Sequence, residues 1–281
     1  MIIVKNIGLL REQLAHFRKQ NSAIGFVPTM GALHAGHLSL IEECKKHCDV
    51  TVASIFVNPT QFNNRQDFEK YPHTLAKDIA LLEQGGCSIL FVPTVDEMYP
   101  AGEQALHYEL GYLETILEGK YRPGHFQGVC QIVDKLLQAV QPQVLFLGQK
   151  DYQQCMVVAA MIKLRSHPTQ LRVCPTVREA DGLAMSSRNM RLNENERNQA
   201  LAIIRSLQTI KDKMKPGDVT ALTDAARQYL QANGFVVDYV EIADAQNLNV
   251  LQHWDGQSPI VALAAAFVND VRLIDNLALY P

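Results

Sequence analysis

Apolar residues set the grammar of this chain before any motif is considered. Ile7, Leu10, Leu14 and Phe17 recur at helical spacing, and the run 23–27 that follows reads as a buried strand. Leu38, Ile41 and Cys44 restore the helical period after a glycine-containing turn. Residues 50–57 (VTVASIFV) are almost continuously apolar, the pattern of a strand covered on both faces, so strand, helix and strand make a β-α-β unit. Pro59 cannot continue that ladder and ends it. A helix over about 75–84, stopped by Gly85-Gly86, leads to a strand at 88–92. Residues 93–124, rich in Pro, Gly and Tyr, read as an irregular loop over an active site. Helical spacing returns over 125–140 and closes at Pro142, a strand follows at 144–147, residues 148–151 open another helix, and 171–174 complete the alternation. Strands alternating with helices in this way predict an α/β domain with a Rossmann-like parallel sheet over residues 1–175.

Beyond that point the pattern changes. Asn193 and Glu196 form a capping-box-like start, and Ala200, Ile203, Ile204, Leu207 and Met214 mark a long amphipathic helix. A second helix over about 218–233 precedes strand-like runs at 235–242, 260–264 and 271–274. Helices followed by consecutive strands predict a smaller α+β domain over 176–281, with an antiparallel sheet and the role of a lid.

Composition narrows the classes of function. The 281 residues carry a formal charge of −3, which provides no basic surface for a polyanion and weighs against nucleic-acid binding. No apolar run approaches the length of a membrane span, and the start of the chain lacks a secretory signal, so a cytoplasmic enzyme is expected. The six cysteines are scattered without a CxxC pair and read as reduced core residues.

Candidate chemistry gathers at strand ends. Residues 28–37 (PTMGALHAGH) place His34, His37 and two glycines between a strand and a helix, where backbone N–H groups favour phosphate and an imidazole can donate to a charged oxygen. A zinc site would need further ligands, and neither HExxH nor CxxC is present. A second junction, residues 148–154 (GQKDYQQ), offers Lys150 to phosphate and Gln154 to a polar substrate, although a solvated cap would look the same. The segment 181–189 (DGLAMSSRN) has the composition of a mobile loop that wraps a triphosphate, and also of an ordinary interdomain linker. Residues 121–128 (YRPGHFQG) deliver Arg122 and His125 to a helix start, for anion binding or for packing. Gln61, just past a strand end, is a candidate for hydrogen-bonding substrate, although a glutamine in a loop is usually just solvated.

These segments together resemble the pantothenate synthetase (pantoate-β-alanine ligase) family of the HxGH nucleotidyltransferase superfamily. The motifs PTMGALHAGH (28–37), FVNPTQF (56–62), YRPGHFQGV (121–129), LGQKDYQQ (147–154) and DGLAMSSRN (181–189) stand in family order. The resemblance implies an ATP-dependent ligase that condenses (R)-pantoate with β-alanine through pantoyl adenylate, releasing AMP and pyrophosphate on the way to coenzyme A. By position it implies an ATP site of Met30, Gly31, Ala32, Leu33, His34, Ala35, Gly36, His37, Gly148, Gln149, Lys150, Asp151, Val177, Met185, Ser186, Ser187 and Arg188. His37, His34, Lys150, Ser186, Ser187 and Arg188 would be catalytic. Gln61, Gln154, Met30, Asn58 and His125 would bind pantoate and β-alanine, magnesium would accompany ATP, and Asp78 would lie near the metal. A homodimer is implied as well. Gln149 departs from the family, which commonly has Glu there, and this removes any role for a carboxylate at that position. Other HxGH adenylyltransferases would stop at AMP transfer, class I tRNA synthetases would need a basic anticodon-binding domain, and a silent nucleotide-binding regulator would have no use for a transition-state loop.

Overall fold

The structure, a computed structural model, describes residues 1–279. The chain divides into two compact units, one of Met1–Gln149 with Gln154–Pro175, the other of Lys150–Gln153 with the residues from Thr176 onward.

The first unit is built on six strands, β1 (Ile2–Val4), β2 (Ile24–Thr29), β3 (Val50–Ile55), β4 (Ile89–Phe91), β5 (Val144–Gly148) and β6 (Gln170–Cys174). They lie in the order β1-β4-β3-β2-β5-β6 with every neighbouring pair parallel. Between and around them run α1 (Ile7–Lys19), α2 (Ala35–His47), α3 (Arg65–Glu69), α4 (Leu75–Gln84), α5 (Val95–Met98), α6 (Leu117–Tyr121), α7 (His125–Val140) and α8 (Tyr152–Leu164). The two-residue period of the strands sorts their side chains onto two faces. Ile24, Phe26, Val52, Phe91 and Leu145 pack with α1, α7 and α8, whereas Val27, Ala53, Leu90 and Phe146 pack with α2 and α4. Such double coverage is what the unbroken apolar strands required.

Three details differ from the sequence pattern. In α2 the buried stripe is Leu40, Ile41 and Cys44; Leu38 is only half-buried, because the helix begins at Ala35 and turns that position toward its flank. The segment 93–124 is not an open loop: α5, a 3₁₀ turn at Gly111–Glu114 and α6 order it, and Met98, Tyr108 and Leu110 join the core beside α7. Its Pro and Gly residues punctuate short helical turns, a pattern that hydrophobic periodicity does not reveal. Strand β1 also escapes prediction, being only three residues long. All six cysteines are buried free thiols.

Tyr108 helps close a buried polar cluster. Asp134 on α7, 1% exposed, accepts from Tyr108 Oη at 2.8 Å, Gln138 Nε2 at 3.0 Å and Arg165 Nε at 3.0 Å, and lies 2.6 Å from His167 Nε2. Burial pushes its carboxyl up, but the hydrogen bonds from His167, Gln138 and Tyr108, with the Arg165 charge, outweigh burial and hold it below the ordinary value. Asp134→Asn is expected to lower stability at pH 7 by about 2 kcal/mol, the scale of losing hydrogen bonds to a charged group. A depressed carboxyl contributes stability that is complete above the unfolded value, about 3.9, and lost as pH falls through the folded one. Urea unfolding should therefore show a gap between wild type and variant that persists at pH 5 and closes below about pH 4. A gap as wide at pH 3 as at pH 7 contradicts the assignment.

The second unit contains α9 (Glu194–Lys213), β7 (Gly217–Asp218), α10 (Thr220–Ala232), β8 (Val236–Asp244), β9 (His253–Trp254), β10 (Ile260–Val268) and β11 (Val271–Ala278). The capping box at α9 is formed, with Asn193 and Glu196 exchanging backbone-to-side-chain bonds of 2.9 Å each. Strands β11, β10 and β8 make an antiparallel sheet, and its inward residues Ile242, Ala262, Ala264 and Leu273 share a core with Leu207 of α9 and Leu230 of α10. A two-stranded ribbon of β7 and β9, too short for a sequence signal, completes the unit.

Candidate active site

Strand order fixes where a ligand can enter the first unit. From β2 the chain crosses through α2 to β3 on one side, and from β5 through α8 to β6 on the other. The crossovers diverge, leaving a crevice beyond the carboxyl ends of β2 and β5, the usual ligand position in open α/β sheets. Residues 30–37 follow β2, and Gln149 follows β5. A Cβ added at Gly148 would meet no protein atom within 4 Å, so the backbone there is open to approach.

Gly31 and Ala32 both have left-handed backbones, with φ of 81° and 50°. For alanine that conformation costs about 1 kcal/mol and persists only where the surroundings enforce it. Enforcement comes from Asp78 in the first turn of α4, 1% exposed. Its Oδ2 accepts from Ala32 N at 2.9 Å and its Oδ1 from Leu33 N at 2.8 Å, while Thr74 Oγ1 lies 3.1 Å from both oxygens.

His34 then caps α2. Its Nδ1 accepts from Gly36 N at 3.2 Å, and His37 Nδ1 accepts in return from His34 N at 3.4 Å. The i, i+3 histidine spacing is thus a capping box built from imidazoles. While both Nδ1 atoms accept these bonds, the rings keep their protons on Nε2. Their centroids lie 4.1 Å apart, giving two neighbouring N–H donors.

This geometry corrects one expectation about the turn. The N–H groups of Gly31, Ala32, Leu33, His34, Gly36 and His37 all go to protein acceptors: Thr29 Oγ1, the two Asp78 oxygens, His37 Nδ1, His34 Nδ1 and the His34 carbonyl. The anion held by this backbone is Asp78. Both oxygens of Asp78, the residue expected near the metal, accept bonds that hold the turn. Among the described residues, no three His, Cys, Asp or Glu side chains gather as a metal site.

Past β3, the 3₁₀ turn Pro59–Gln61 presents Gln61. Its Nε2 reaches Met30 Sδ at 2.9 Å and its Oε1 accepts from Asn58 Nδ2 at 3.2 Å, so one contact network holds Met30, Asn58 and Gln61 together. Asn58 also donates to the Gly128 carbonyl at 3.1 Å and accepts from Tyr99 Oη at 2.8 Å and Thr60 Oγ1 at 3.2 Å. Two donations and two acceptances exhaust its amide, which corrects Asn58 from a substrate contact to a brace for Gln61. His125 is buried, and its Nδ1 lies 2.7 Å from the Gln61 carbonyl, so it packs against the same turn. Arg122 from the same motif pairs with Glu118 at 3.5 Å. Gln154 is half-buried on α8.

Of the remaining predicted residues, the second unit holds Lys150 and Asp151, in a 3₁₀ turn that opens α8, together with Val177, Met185, Ser186, Ser187 and Arg188. Asn276 Nδ2 ties down the Lys150 carbonyl at 2.8 Å, and Tyr152 Oη bonds to the Ala245 carbonyl at 2.7 Å, which is why this short segment packs with the second unit. Segment 177–189 is an anchored turn rather than an open loop. Met185 N bonds to the Val177 carbonyl at 3.1 Å, and Arg178 grips Asp275 with two bonds of 2.7 and 3.0 Å. Ser186 caps the 3₁₀ turn Ser187–Arg191 by accepting from Arg188 N at 3.3 Å, and Ser187 is buried.

Sequence reasoning missed the supporting roles of the Thr74 and Tyr99 side chains and of the Gly128 backbone. The Thr74-x-x-x-Asp78 spacing in a first helical turn was the one available signal, and Tyr99 offered none.

Comparison with known proteins bears on the whole chain. Residues 2–278 match the family model described as Pantoate-beta-alanine ligase. The chain is 44% identical over 282 residues to the pantothenate synthetase of Cytophaga hutchinsonii, covering 99% of each, and 46% identical over 282 residues to that of Pseudomonas fluorescens, covering 99% of this chain and 98% of the relative. Among solved structures it resembles pantothenate synthetase from Thermus thermophilus, with a TM-score of 0.93, 40% identity and full coverage of both chains. It also resembles the pantoate-beta-alanine ligase of Francisella tularensis complexed with beta-gamma ATP and beta-alanine, with a TM-score of 0.84, 38% identity and coverage of 99% and 98%.

Proposed function

Because the chain belongs to the pantoate-β-alanine ligase family, we propose that it joins pantoate to β-alanine at the cost of ATP and that the neutral imidazole pair of His34 and His37 is the centre of its first step. The observation that carries the mechanism is the double Nδ1 cap, which aims two Nε2–H donors from one helix start.

A carboxylate is a poor acyl donor because its leaving group would be oxide. In the first step a pantoate carboxylate oxygen attacks the α-phosphorus of ATP, the bond to the bridging oxygen breaks, and pyrophosphate departs. Charge shifts onto the phosphate oxygens during this exchange, and the Nε2–H groups of His37 and His34 donate to them. Lys150 and Arg188 meet the phosphates as cations, and Ser186 and Ser187 as hydroxyl and backbone donors. Gly31, Ala32, Leu33, Ala35, Gly36, Gly148, Gln149, Asp151, Val177 and Met185 line the nucleotide. Gln61 and Gln154 hold pantoate by its polar groups, with Met30 against its carbon skeleton. In the second step the β-alanine amine attacks the activated acyl carbon, AMP leaves, and the amine proton passes to solvent or to phosphate. Gln61, braced on three sides, also receives β-alanine.

Magnesium belongs to this proposal as a companion of the nucleotide. It would neutralise phosphate charge, and since Mg²⁺ generally keeps phosphate and water ligands it would need no dedicated cage of side chains. The six buried free thiols support a cytoplasmic location, where thiols stay reduced. A homodimer is what the family implies. Among the described residues no helix is long and apolar enough to cross a membrane.

Incubation with ATP, magnesium, pantoate and β-alanine is expected to yield AMP, pyrophosphate and pantothenate in equal amounts. Release of ADP and phosphate, or steady AMP formation without β-alanine, overturns the proposal.

A further inference from the structure

We propose that Asp78 is a positioning residue for adenylation: its carboxylate serves as an internal anion that locks the Gly31-Ala32 turn and thereby aims both imidazoles. The inference rests on the histidine roles proposed above.

Four observations carry it. First, the two backbone N–H groups that Asp78 accepts from, Ala32 and Leu33, directly precede His34, so they fix where α2 begins. Everything downstream inherits that point, since the tautomer and direction of each ring depend on the His34 cap. Second, the conformation enforced is one that alanine avoids, with φ of 50° at Ala32. Backbone held in such a region requires over-determination by its neighbours, and strain of this kind gathers at working sites.

Third, Thr74 departs from its local role. It occupies the N-cap position of α4, where a threonine hydroxyl normally accepts from the helix's own N–H groups. Here it makes no such bond, and its Oγ1 points at both Asp78 oxygens, 3.1 Å from each. The helix gives up its cap to hold the carboxylate, a local rule broken in favour of the neighbouring site. Fourth, the approach depends on glycine. A Cβ at Gly31 would lie 3.1 Å from Asp78 Oδ2 and 3.1 Å from Ile55 Cγ2, at a φ of 81° that disfavours any side chain.

A carboxylate is required rather than a neutral isostere because every group facing it is a donor. Asp78→Asn replaces one acceptor oxygen by an NH₂ group and turns it against an N–H or a hydroxyl. The turn then relaxes and both rings lose their aim.

The test is single-turnover formation of pantoyl adenylate in a double-mutant cycle. Asp78→Asn is expected to reduce the rate about 10–100-fold, the usual loss when a group orienting a site residue is removed. KM for ATP should change little, and the magnesium concentration for half-maximal rate should stay at the wild-type value. In a background carrying both His34→Ala and His37→Ala the same substitution should cost under about threefold, because its effect runs through the rings already removed. Thr74→Val guards against a folding failure of Asp78→Asn: a reduction of about 3–10-fold is expected, again vanishing in the background that lacks both histidines. An undiminished loss in that background, a shifted magnesium dependence, or wild-type rates in both variants overturns the inference. Failure of the wild-type protein to form the adenylate would instead overturn the parent reading of the site.

Discussion

His37→Ala is expected to slow pantoyl-adenylate formation by about 10²–10³-fold in a single turnover, the scale of removing one donor aimed at developing charge. The structure allows two roles of the ring to be separated. Nδ1 belongs to the fold, because it accepts from His34 N and completes the cap of α2. In the proposed mechanism Nε2 carries the chemistry, because the cap leaves the proton there. Asparagine places an acceptor near the Nδ1 position and nothing at Nε2, whereas glutamine reaches the Nε2 position with an NH₂ donor. His37→Asn should therefore keep the thermal midpoint near wild type and lose as much rate as His37→Ala. His37→Gln should recover part of the rate and lose part of the cap. Wild-type single-turnover rates in His37→Asn would remove the Nε2–H from the mechanism. A drop in stability that tracks the drop in rate across all three variants would make the ring structural only.

The contrast between the two nitrogens shows how far sequence could reach. The spacing of His34 and His37 at a strand-helix junction was legible, because a glycine turn after an apolar run has few conformations open to it. What the rings do there was not, since the same residues suit a phosphate cradle of backbone amides. That reading fails on a long-range fact: Asp78, more than forty residues on, fills the turn with its own carboxylate. The parallel sheet was legible for a related reason. Val50–Ile55 is buried along its whole length, so its apolar run was unbroken. Segment 93–124 hid its structure because short turns stabilised by packing on α7 carry little period of their own. Asn58 and His125 were recognisable as belonging to the site, but not as braces, because bracing depends on partners such as Tyr99 and the Gln61 carbonyl that only the fold brings near.

Gly128→Ala addresses that bracing, and a single methyl group is expected to lower kcat/KM for pantoate by about 10²-fold, as an ångström of misplacement can. A Cβ at this position would lie 2.4 Å from the Thr60 carbonyl oxygen, 2.6 Å from its carbon and 2.8 Å from Gln61 Cα. All three are backbone atoms, so no rotamer change relieves the collision, and either the start of α7 or the turn Pro59–Gln61 must retreat by about an ångström to regain ordinary contact. Retreat strains two bonds at once: Asn58 Nδ2 to the Gly128 carbonyl, 3.1 Å, and His125 Nδ1 to the Gln61 carbonyl, 2.7 Å. The same overpacking should lower stability by about 1–3 kcal/mol. Because Gln61 is displaced rather than removed, pantoate KM should rise and kcat fall together, while KM for ATP holds. Gly8→Ala serves as the control, since its Cβ would meet only Asn6 Oδ1, at an ordinary 3.6 Å, and the substitution should leave catalysis unchanged. A Gly128→Ala protein with the wild-type melting temperature and wild-type kcat/KM for pantoate would show that the Pro59–Gln61 turn yields freely, and the bracing account of Gln61 would then fail with it.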